Sequence, residues 1–510
     1  MTEHYLDRLA KTINENWDQP ALTDFYLTDD GLAQDTSRGN HYTYGEMYLE
    51  IFHICDIFRS IALQKGDHIA ICGANSAHWA IAYLAIAAYQ GVAVTILHSQ
   101  APEDIARQIN FSDAKVLFTD NDLWDELQSQ SLPQIEHVIS LENWQILRGR
   151  EIQIKNQLST ITNRKAHFDY GEPDDLAMIC FTSGSTGNSK GVMLTYRAIN
   201  NGINSGADTL PICEKSNYVS VLPFAHIFGL FGDMFDQLLY AHHLYVMRTI
   251  IPNAIYTALE KVRPYAIMIV PAILNKVLHL MEEKVERLSE YGLRQINMGG
   301  AGVSSELEQQ LSKGNIHHVL MYGMTEGLMV SGSRFEKYRK NSSGLVSKGV
   351  NVKISIDGEI LVKGENVMLG YYKDPEATAR KIDSDGWLHT GDKGHLDGDG
   401  YLYVEGRLDQ DMIVLPNGEN IHPEDIERKI NFLPEVSESI VFARDGKLVA
   451  IVVPEIKNQK SRITNSDLRR MVLRTINPQL PLYSQLYDVE ITDTPLAKTE
   501  KQTLKRYLYK

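Results

Sequence analysis

The chain has 510 residues, 43% hydrophobic and 23% charged, which is too long for one hydrophobic core and ordinary for a globular enzyme of about two to four domains. Its formal charge of −15 excludes a dedicated nucleic-acid binder, which would carry a basic balance. The cysteines (Cys55, Cys72, Cys180 and Cys213) are scattered without a C-x-x-C pair, which excludes a zinc or disulfide framework and points to reduced core thiols of a cytoplasmic protein.

Taken in chain order, the N-terminus Met1-Thr-Glu-His-Tyr-Leu-Asp-Arg lacks a basic segment followed by an apolar run, so no secretory signal is expected. The most apolar stretch, Ala80-Ile-Ala-Tyr-Leu-Ala-Ile-Ala-Ala88, is about half of the ~18 residues a membrane span needs and reads as a buried helix. No transmembrane segment is expected, and contact with a membrane surface stays open. Residues 43–165 alternate helical patterns with short apolar strands at 68–72, 92–96, 115–119 and 137–140, with a helix over 102–110. That rhythm predicts βαβ units and a mainly parallel sheet. It resumes at 218–222 and 266–270.

After about residue 345 the texture changes. Val352-Lys-Ile-Ser-Ile356 and Glu359-Ile-Leu-Val-Lys363 flank an Asp-Gly turn, and residues 395–404 repeat that pattern; both read as hairpins. Asp397 and Asp399 belong to the second turn and do not continue into a calcium loop. The last hundred or so residues read as a helix at 423–430, a hairpin at 439–453, a helix at 467–475 and a basic tail. The expected fold class is therefore α/β: a large N-terminal domain of α/β sheets over 1–408, carrying a β-rich subdomain at about 345–406, and a small α+β C-terminal domain over 409–510.

The segment with the most chemical content is Phe181-Thr-Ser-Gly-Ser-Thr-Gly-Asn-Ser-Lys-Gly-Val192. Thr182, Ser183, Ser185 and Thr186 supply hydroxyls, Gly184, Gly187 and Gly191 permit close backbone approach, and Lys190 supplies a point charge. This is polyphosphate-binding chemistry, yet the spacing fits neither a Walker A loop nor Gly-x-Gly-x-x-Gly. The flanking pattern predicts a strand, the loop, and then a helix over 193–199. Four further clusters share that character. Met321-Tyr-Gly-Met-Thr-Glu-Gly327 offers an aromatic for stacking, a hydroxyl for a phosphate and a carboxylate for Mg2+. Met298-Gly-Gly-Ala-Gly302 brings bare backbone to a flat ligand. Trp387-Leu-His-Thr-Gly-Asp392 ends a strand-like run in a carboxylate suited to ribose hydroxyls, and Gly406-Arg407 follows the second hairpin.

In this order the motifs resemble the adenylate-forming superfamily of acyl-CoA synthetases, peptide-synthetase adenylation domains and luciferases, over residues 40–506. The run Gly358-Glu-Ile-Leu-Val-Lys-Gly-Glu-Asn-Val-Met-Leu-Gly-Tyr-Tyr-Lys-Asp-Pro-Glu-Ala-Thr378 resembles long-chain acyl-CoA synthetases in particular, as does residues 406–427. The resemblance implies that Thr182, Ser183, Gly184, Ser185, Thr186, Gly187 and Lys190 hold the β- and γ-phosphates of ATP, and that Gly300, Ala301 and Tyr322 enclose adenine. Thr325 would meet the α-phosphate, Glu326 would bind Mg2+, Asp392 and Arg407 would hold ribose, and Asp409 would be the hinge of a mobile lid. His226, in Pro-Phe-Ala-His-Ile-Phe-Gly229, matches a position beside the acyl pocket and the thiol path; a core histidine is the other reading.

One departure stands out. The family's terminal Lys-Thr-x-x-Gly-Lys-x-x-Arg appears here as Lys498-Thr-Glu-Lys-Gln-Thr-Leu-Lys-Arg506, which leaves Thr503 in the catalytic slot. Lys501 is the expected substitute, because residues two apart in an extended segment face one side; Lys505 and no adenylation lysine are the alternatives. The resemblance thus implies a fatty acid–CoA ligase using ATP, CoA and Mg2+. Two alternatives remain: transfer to a carrier protein's phosphopantetheine, and a weakly active nucleotide- or acyl-binding homologue. His242-His243 and His317-His318 lack acidic or thiol neighbours at ligand spacing and read as surface or packing residues.

Overall fold

The computed structural model describes every residue except 1–2, 28–38, 151–164, 183–188, 208–214, 282–285, 301–302, 304, 315, 334–336, 409–412, 416–418, 422, 432, 434, 456–463, 497–507 and 510. Its contacts divide it into two compact units. The first comprises residues 1–182, 190–390 and 394–404; the second comprises 183–189, 391–393 and 405–510.

The first unit is built on an eight-stranded sheet in the spatial order 370–371, 190–195, 176–182, 92–95, 68–72, 116–119, 137–140 and 146–148. Its five central strands are parallel. They are runs of Val, Ile, Leu and Ala buried on both faces, as parallel strands covered by helices must be. The helix Ala77–Ala88, capped by the Ser76 hydroxyl accepting from the Trp79 N–H, is buried from Ala77 to Ala87; this is the apolar run at 80–88. Among the described residues no helix is long and apolar enough to cross a membrane.

A second, five-stranded sheet holds 266–269, 295–298, 317–324, 328–332 and 345–346, parallel in its first three strands. A third takes 217–220, 243–247, 20–25 and 41–43. The hairpin Val350–Ile354/Glu359–Gly364 forms a four-stranded sheet with Leu388–Leu396 and Leu402–Arg407. Here Asp397 closes its turn by accepting from the Asp399 and Tyr401 N–H groups and pairs with Arg339, whose guanidinium also meets Asp399 at 2.8 Å.

In the second unit, Val436–Arg444 and Lys447–Pro454 form a hairpin whose turn residues Asp445 and Gly446 both have positive φ (50° and 72°), the geometry an Asp-Gly pair favours. Asp488–Ile491 adds a parallel strand. The helices Pro423–Asn431 and Asn465–Ile476 bury Ile426, Ile430, Leu468, Val472 and Ile476 in one core with Val441, Ala450 and Val489.

Of the cysteines, Cys55, Cys72 and Cys180 are free and buried; Cys213 lies outside the described residues. Burial pushes the Cys55 and Cys180 thiols up to about 12 and about 11, so both stay protonated and inert.

Candidate functional site

The hydroxyl- and glycine-rich segment caps a hairpin, not a strand–helix turn. Leu176–Thr182 pairs antiparallel with Lys190–Thr195, Thr182 lies opposite Lys190, and the helix begins only at Tyr196. The expected helix over 193–199 is therefore corrected at its first turn: Val192 and Leu194 are buried as strand residues, because pairing with Leu176–Thr182 outweighs a weak helical pattern. A Cβ on Gly191 would come within 2.9 Å of the Ile179 side chain, so this strand packs as closely as only glycine allows. Ser183, Gly184, Ser185, Thr186 and Gly187 lie outside the described residues.

The strand Gly370–Tyr371 flanks this hairpin, with Gly370 opposite Met193 and Tyr371 opposite Val192. The Leu369 N–H donates to Met193 O at 2.9 Å and the Tyr372 N–H to Gly191 O at 2.7 Å. The Tyr371 side chain then links two expected site residues. Its hydroxyl donates to Glu326 Oε1 at 2.7 Å, and the Lys190 ammonium lies 4.9 Å from its ring centroid. Burial foremost, then the Glu326 charge, pushes the Tyr371 hydroxyl well above its ordinary pKa and keeps the proton in place.

Glu326 sits in the turn between the antiparallel strands His317–Met324 and Leu328–Gly332. The Gly327 N–H closes this turn on Met324 O at 3.2 Å, and the Met368 N–H donates to Glu326 O at 2.8 Å. Asn366 donates to Gly327 O. Leu328, buried, takes φ of +46°, and a Cβ on Gly323 would lie 2.2 Å from Leu328 O. The turn is thus tightly packed and strained at one residue. Thr325 is buried beside Glu326, and Tyr322 is half-buried against the main core.

Gly299 and Gly300 follow the strand Gln295–Met298. Gly300 has φ of +76°, and a Cβ on Gly299 would touch the Phe228 ring at 2.9 Å. Bare backbone at this strand end is a steric requirement. Ala301 lies outside the described residues.

His226 is carried by a loop that three buried side chains hold down. Asn75 donates to Leu222 O at 2.7 Å and accepts from the Phe224 N–H at 2.8 Å. Asp233 Oδ2 accepts from the Val221 and Leu222 N–H groups, each at 2.8 Å, and Thr95 donates to Ala225 O at 3.1 Å. His226 itself reaches solvent, yet enough protein surrounds it that desolvation lowers its pKa. Its Nδ1 accepts from the Phe228 N–H at 3.3 Å, so in the neutral ring Nε2 carries the hydrogen. Asp233 and Asp236 are buried acids with raised pKa values, through desolvation first. Neither presents a free carboxylate for a substrate ammonium. Asn75, Asp233, Asn366 and Tyr371 were not legible as site residues, although Tyr371 and Asn366 fall inside the motif over 358–378.

Asp392 is buried midway along Leu388–Leu396, where Leu388, Thr390, Asp392 and Gly394 alternate inward. The strand runs on past the carboxylate rather than ending in it, a correction that the register explains. Arg407 is the last residue of Leu402–Arg407. Asp392 and Arg407 fall in the second contact unit, while Lys190, Tyr322, Thr325 and Glu326 fall in the first. Asp409, Lys501, Thr503 and Lys505 lie outside the described residues.

Among the described residues no group of three His, Cys, Asp or Glu side chains is set to hold a metal. His242 is buried, its Nδ1 accepting from the Ser216 N–H at 3.2 Å, and His243 shares a 2.8 Å hydrogen bond with Thr23; both are packing residues. A single hard oxygen donor does suit Mg2+, which keeps several waters and takes its remaining ligands from phosphates. Glu326 fits that role: only its Oε1 is hydrogen-bonded among the described residues.

The chain matches the AMP-binding enzyme family over residues 9–372 and the AMP-binding enzyme C-terminal domain over residues 410–509. It is 31% identical to a methyl-dioxo-octahydro-indenyl-propanoyl:CoA ligase of Rhodococcus jostii, covering 78% of this chain and 80% of that protein. With 4-coumarate–CoA ligase 3 of Arabidopsis thaliana it shares 26% identity over 92% and 87% of the two chains. The solved structure of an o-succinylbenzoate CoA synthetase from Bacillus subtilis has the same fold, with a TM-score of 0.77 at 23% identity over 99% and 97% of the chains. A hairpin whose connecting segment is rich in hydroxyls and glycines and whose return strand begins with a lysine, a turn with threonine and glutamate, and a family match across most of the chain agree: the protein belongs to the AMP-binding enzyme family.

Proposed function

We propose that the protein is an AMP-forming acid–thiol ligase that uses ATP to join a carboxylic acid to CoA through an acyl-adenylate. The observation that supports this reading is the chain of contacts from Lys190 through Tyr371 to Glu326, which links the lysine of the hydroxyl- and glycine-rich segment to the carboxylate of the 321–327 turn. Family membership and the names of the two curated relatives above, both ligases to CoA, support it.

The residues divide the work by charge. Bringing a carboxylate onto the α-phosphate places negative groups together, and one well-aimed donor typically lowers such a barrier by ~3–4 kcal/mol. Thr325 aims a hydroxyl at the α-phosphate, while Lys190 and the loop at 182–187 hold the leaving pyrophosphate. Mg2+, when bound, neutralises phosphate charge, and Glu326 is the residue to hold it. Tyr322 and Gly300 flank adenine, Ala301 lies next in the chain, and Asp392 and Arg407 hold ribose. Lys501 takes the carboxylate, and residues beyond Asp409 exclude water from the adenylate until the thiol arrives. His226, neutral and reachable, stands by the acyl carbonyl.

The acid has an apolar body. Phe228 and Val270, both only partly buried, lie beside Gly299 and Gly300, and the acids Asp233 and Asp236 are not available as free carboxylates. A fatty acid is the expectation from the sequence motifs, whereas the two curated relatives above are named for ring-bearing acids. A panel of straight-chain, arylpropenoic and bicyclic propanoic acids, each with ATP and either CoA or a phosphopantetheinylated carrier protein, tests both points. Acyl-CoA and AMP from one acid class support the reading; turnover with carrier protein and none with CoA would overturn the acceptor.

A further inference from the structure

We infer that Tyr371 is a positioning residue that sets the metal requirement of the nucleotide site. The inference rests on the reading of Glu326 as the metal-binding carboxylate. A glutamate in a turn has three side-chain torsions to fix, and the turn itself restrains only its backbone, through the Met368 N–H and the Gly327 closure. The single side-chain restraint among the described residues is the 2.7 Å hydrogen bond from the Tyr371 hydroxyl to Oε1. That bond engages one carboxylate oxygen and leaves the other without a hydrogen bond among the described residues, which suits a single oxygen ligand for a small hydrated cation.

Tyr371 is itself fixed from both sides. Its N–H donates to Thr378 Oγ1 at 2.8 Å, and its strand is paired with the phosphate hairpin at Val192. Gly370 takes φ of +146°, and a Cβ there would strike the same Thr378 side chain at 2.8 Å. The tyrosine is almost wholly buried, so its hydroxyl has little freedom to leave Glu326. Because its ring also lies under the Lys190 ammonium, one side chain ties the strand that bears the phosphate-binding lysine to the turn that bears the carboxylate. Packing alone would need a ring of this size. It would not need a hydroxyl directed at a carboxylate.

The experiment compares the full-length wild type with Tyr371→Phe, Glu326→Gln and the double variant, which keep side-chain size and, for phenylalanine, the ring under Lys190. Mn2+ binding in the presence of a non-hydrolysable ATP analogue is read by electron paramagnetic resonance of the free ion, and metal-free binding of the analogue by fluorescence in chelator. A hydrogen bond to a charged group predicts that Tyr371→Phe raises the half-saturating Mn2+ concentration by about ten-fold and leaves metal-free binding unchanged. Added to Glu326→Gln, it produces no further change, since it acts through the carboxylate. Unaltered Mn2+ binding in Tyr371→Phe, with loss in Glu326→Gln, overturns the inference and leaves the reading of Glu326 intact. Unaltered Mn2+ binding in Glu326→Gln overturns both. Equal weakening of metal-bound and metal-free nucleotide by Tyr371→Phe marks a general structural role and also overturns the inference.

Discussion

Replacing Gly323 with alanine tests whether the hairpin turn positions Thr325 and Glu326. The added methyl would lie 2.2 Å from Leu328 O, 3.1 Å from Leu328 C and 3.2 Å from Met329 Cα. All three are backbone atoms of the facing strand, so no side chain can swing aside. Restoring an ordinary contact requires the two strands to part by roughly 1 Å at the base of the turn. Overpacking of this kind typically destabilises by ~1–3 kcal/mol. The larger effect falls on activity, since a displacement of roughly 1 Å at a positioned group costs about a hundred-fold in rate. Acid-dependent ATP–pyrophosphate exchange should therefore drop by about two orders of magnitude while the protein remains folded by circular dichroism. Gly398→Ala is the control, because a Cβ there meets nothing within 4 Å. Wild-type exchange in Gly323→Ala would refute the claim that this turn places the reacting groups.

Three further outcomes are expected. Asn75→Ala leaves the Leu222 carbonyl and the Phe224 N–H buried without partners, and at ~1–3 kcal/mol for each orphaned group it should lower stability by about 3 kcal/mol in chemical unfolding; a change under ~0.5 kcal/mol would contradict the clamp, that being the scale of a neutral surface substitution. His78 and His242 are buried with pKa lowered from 6.5 to about 4 by desolvation. The unfolded chain then binds more protons than the folded one between those values, so stability is full above 6.5 and is lost as pH falls towards 4, by up to about 3 kcal/mol for each histidine. A melting temperature that does not fall over that range would contradict it. Lys501→Ala should abolish adenylation but spare thioester formation from supplied acyl-AMP and CoA; unaffected pyrophosphate exchange would shift the role to Lys505 or remove it from the tail.

Much of the α/β core was legible because its signal is local. The strands at 68–72, 92–95, 116–119 and 137–140 are short, mostly apolar runs, and Asp-Gly turns mark hairpins at 352–363 and 436–454. The stretch from Lys190 to Thr195 was misread because Gly-Val-Met-Leu-Thr carries no period that separates helix from strand; its partner Leu176–Thr182 decides the matter through long-range pairing. Asp392 was found by its residue type, but its inward register on a longer strand depends on the neighbouring strands. Tyr371 was invisible as a functional residue for a related reason. Its link to Glu326 spans 45 positions, and the chemistry that makes it notable, a hydroxyl on a carboxylate, exists only after the sheet edge forms.

The central claim is that carboxylate oxygen attacks the α-phosphate. The direct test supplies a turned-over acid labelled with 18O in its carboxylate, together with ATP and CoA, and locates the label by mass spectrometry. Formation of an acyl-adenylate predicts one 18O in the AMP released and none in pyrophosphate. Label in inorganic phosphate, with ADP as the nucleotide product, would contradict the account.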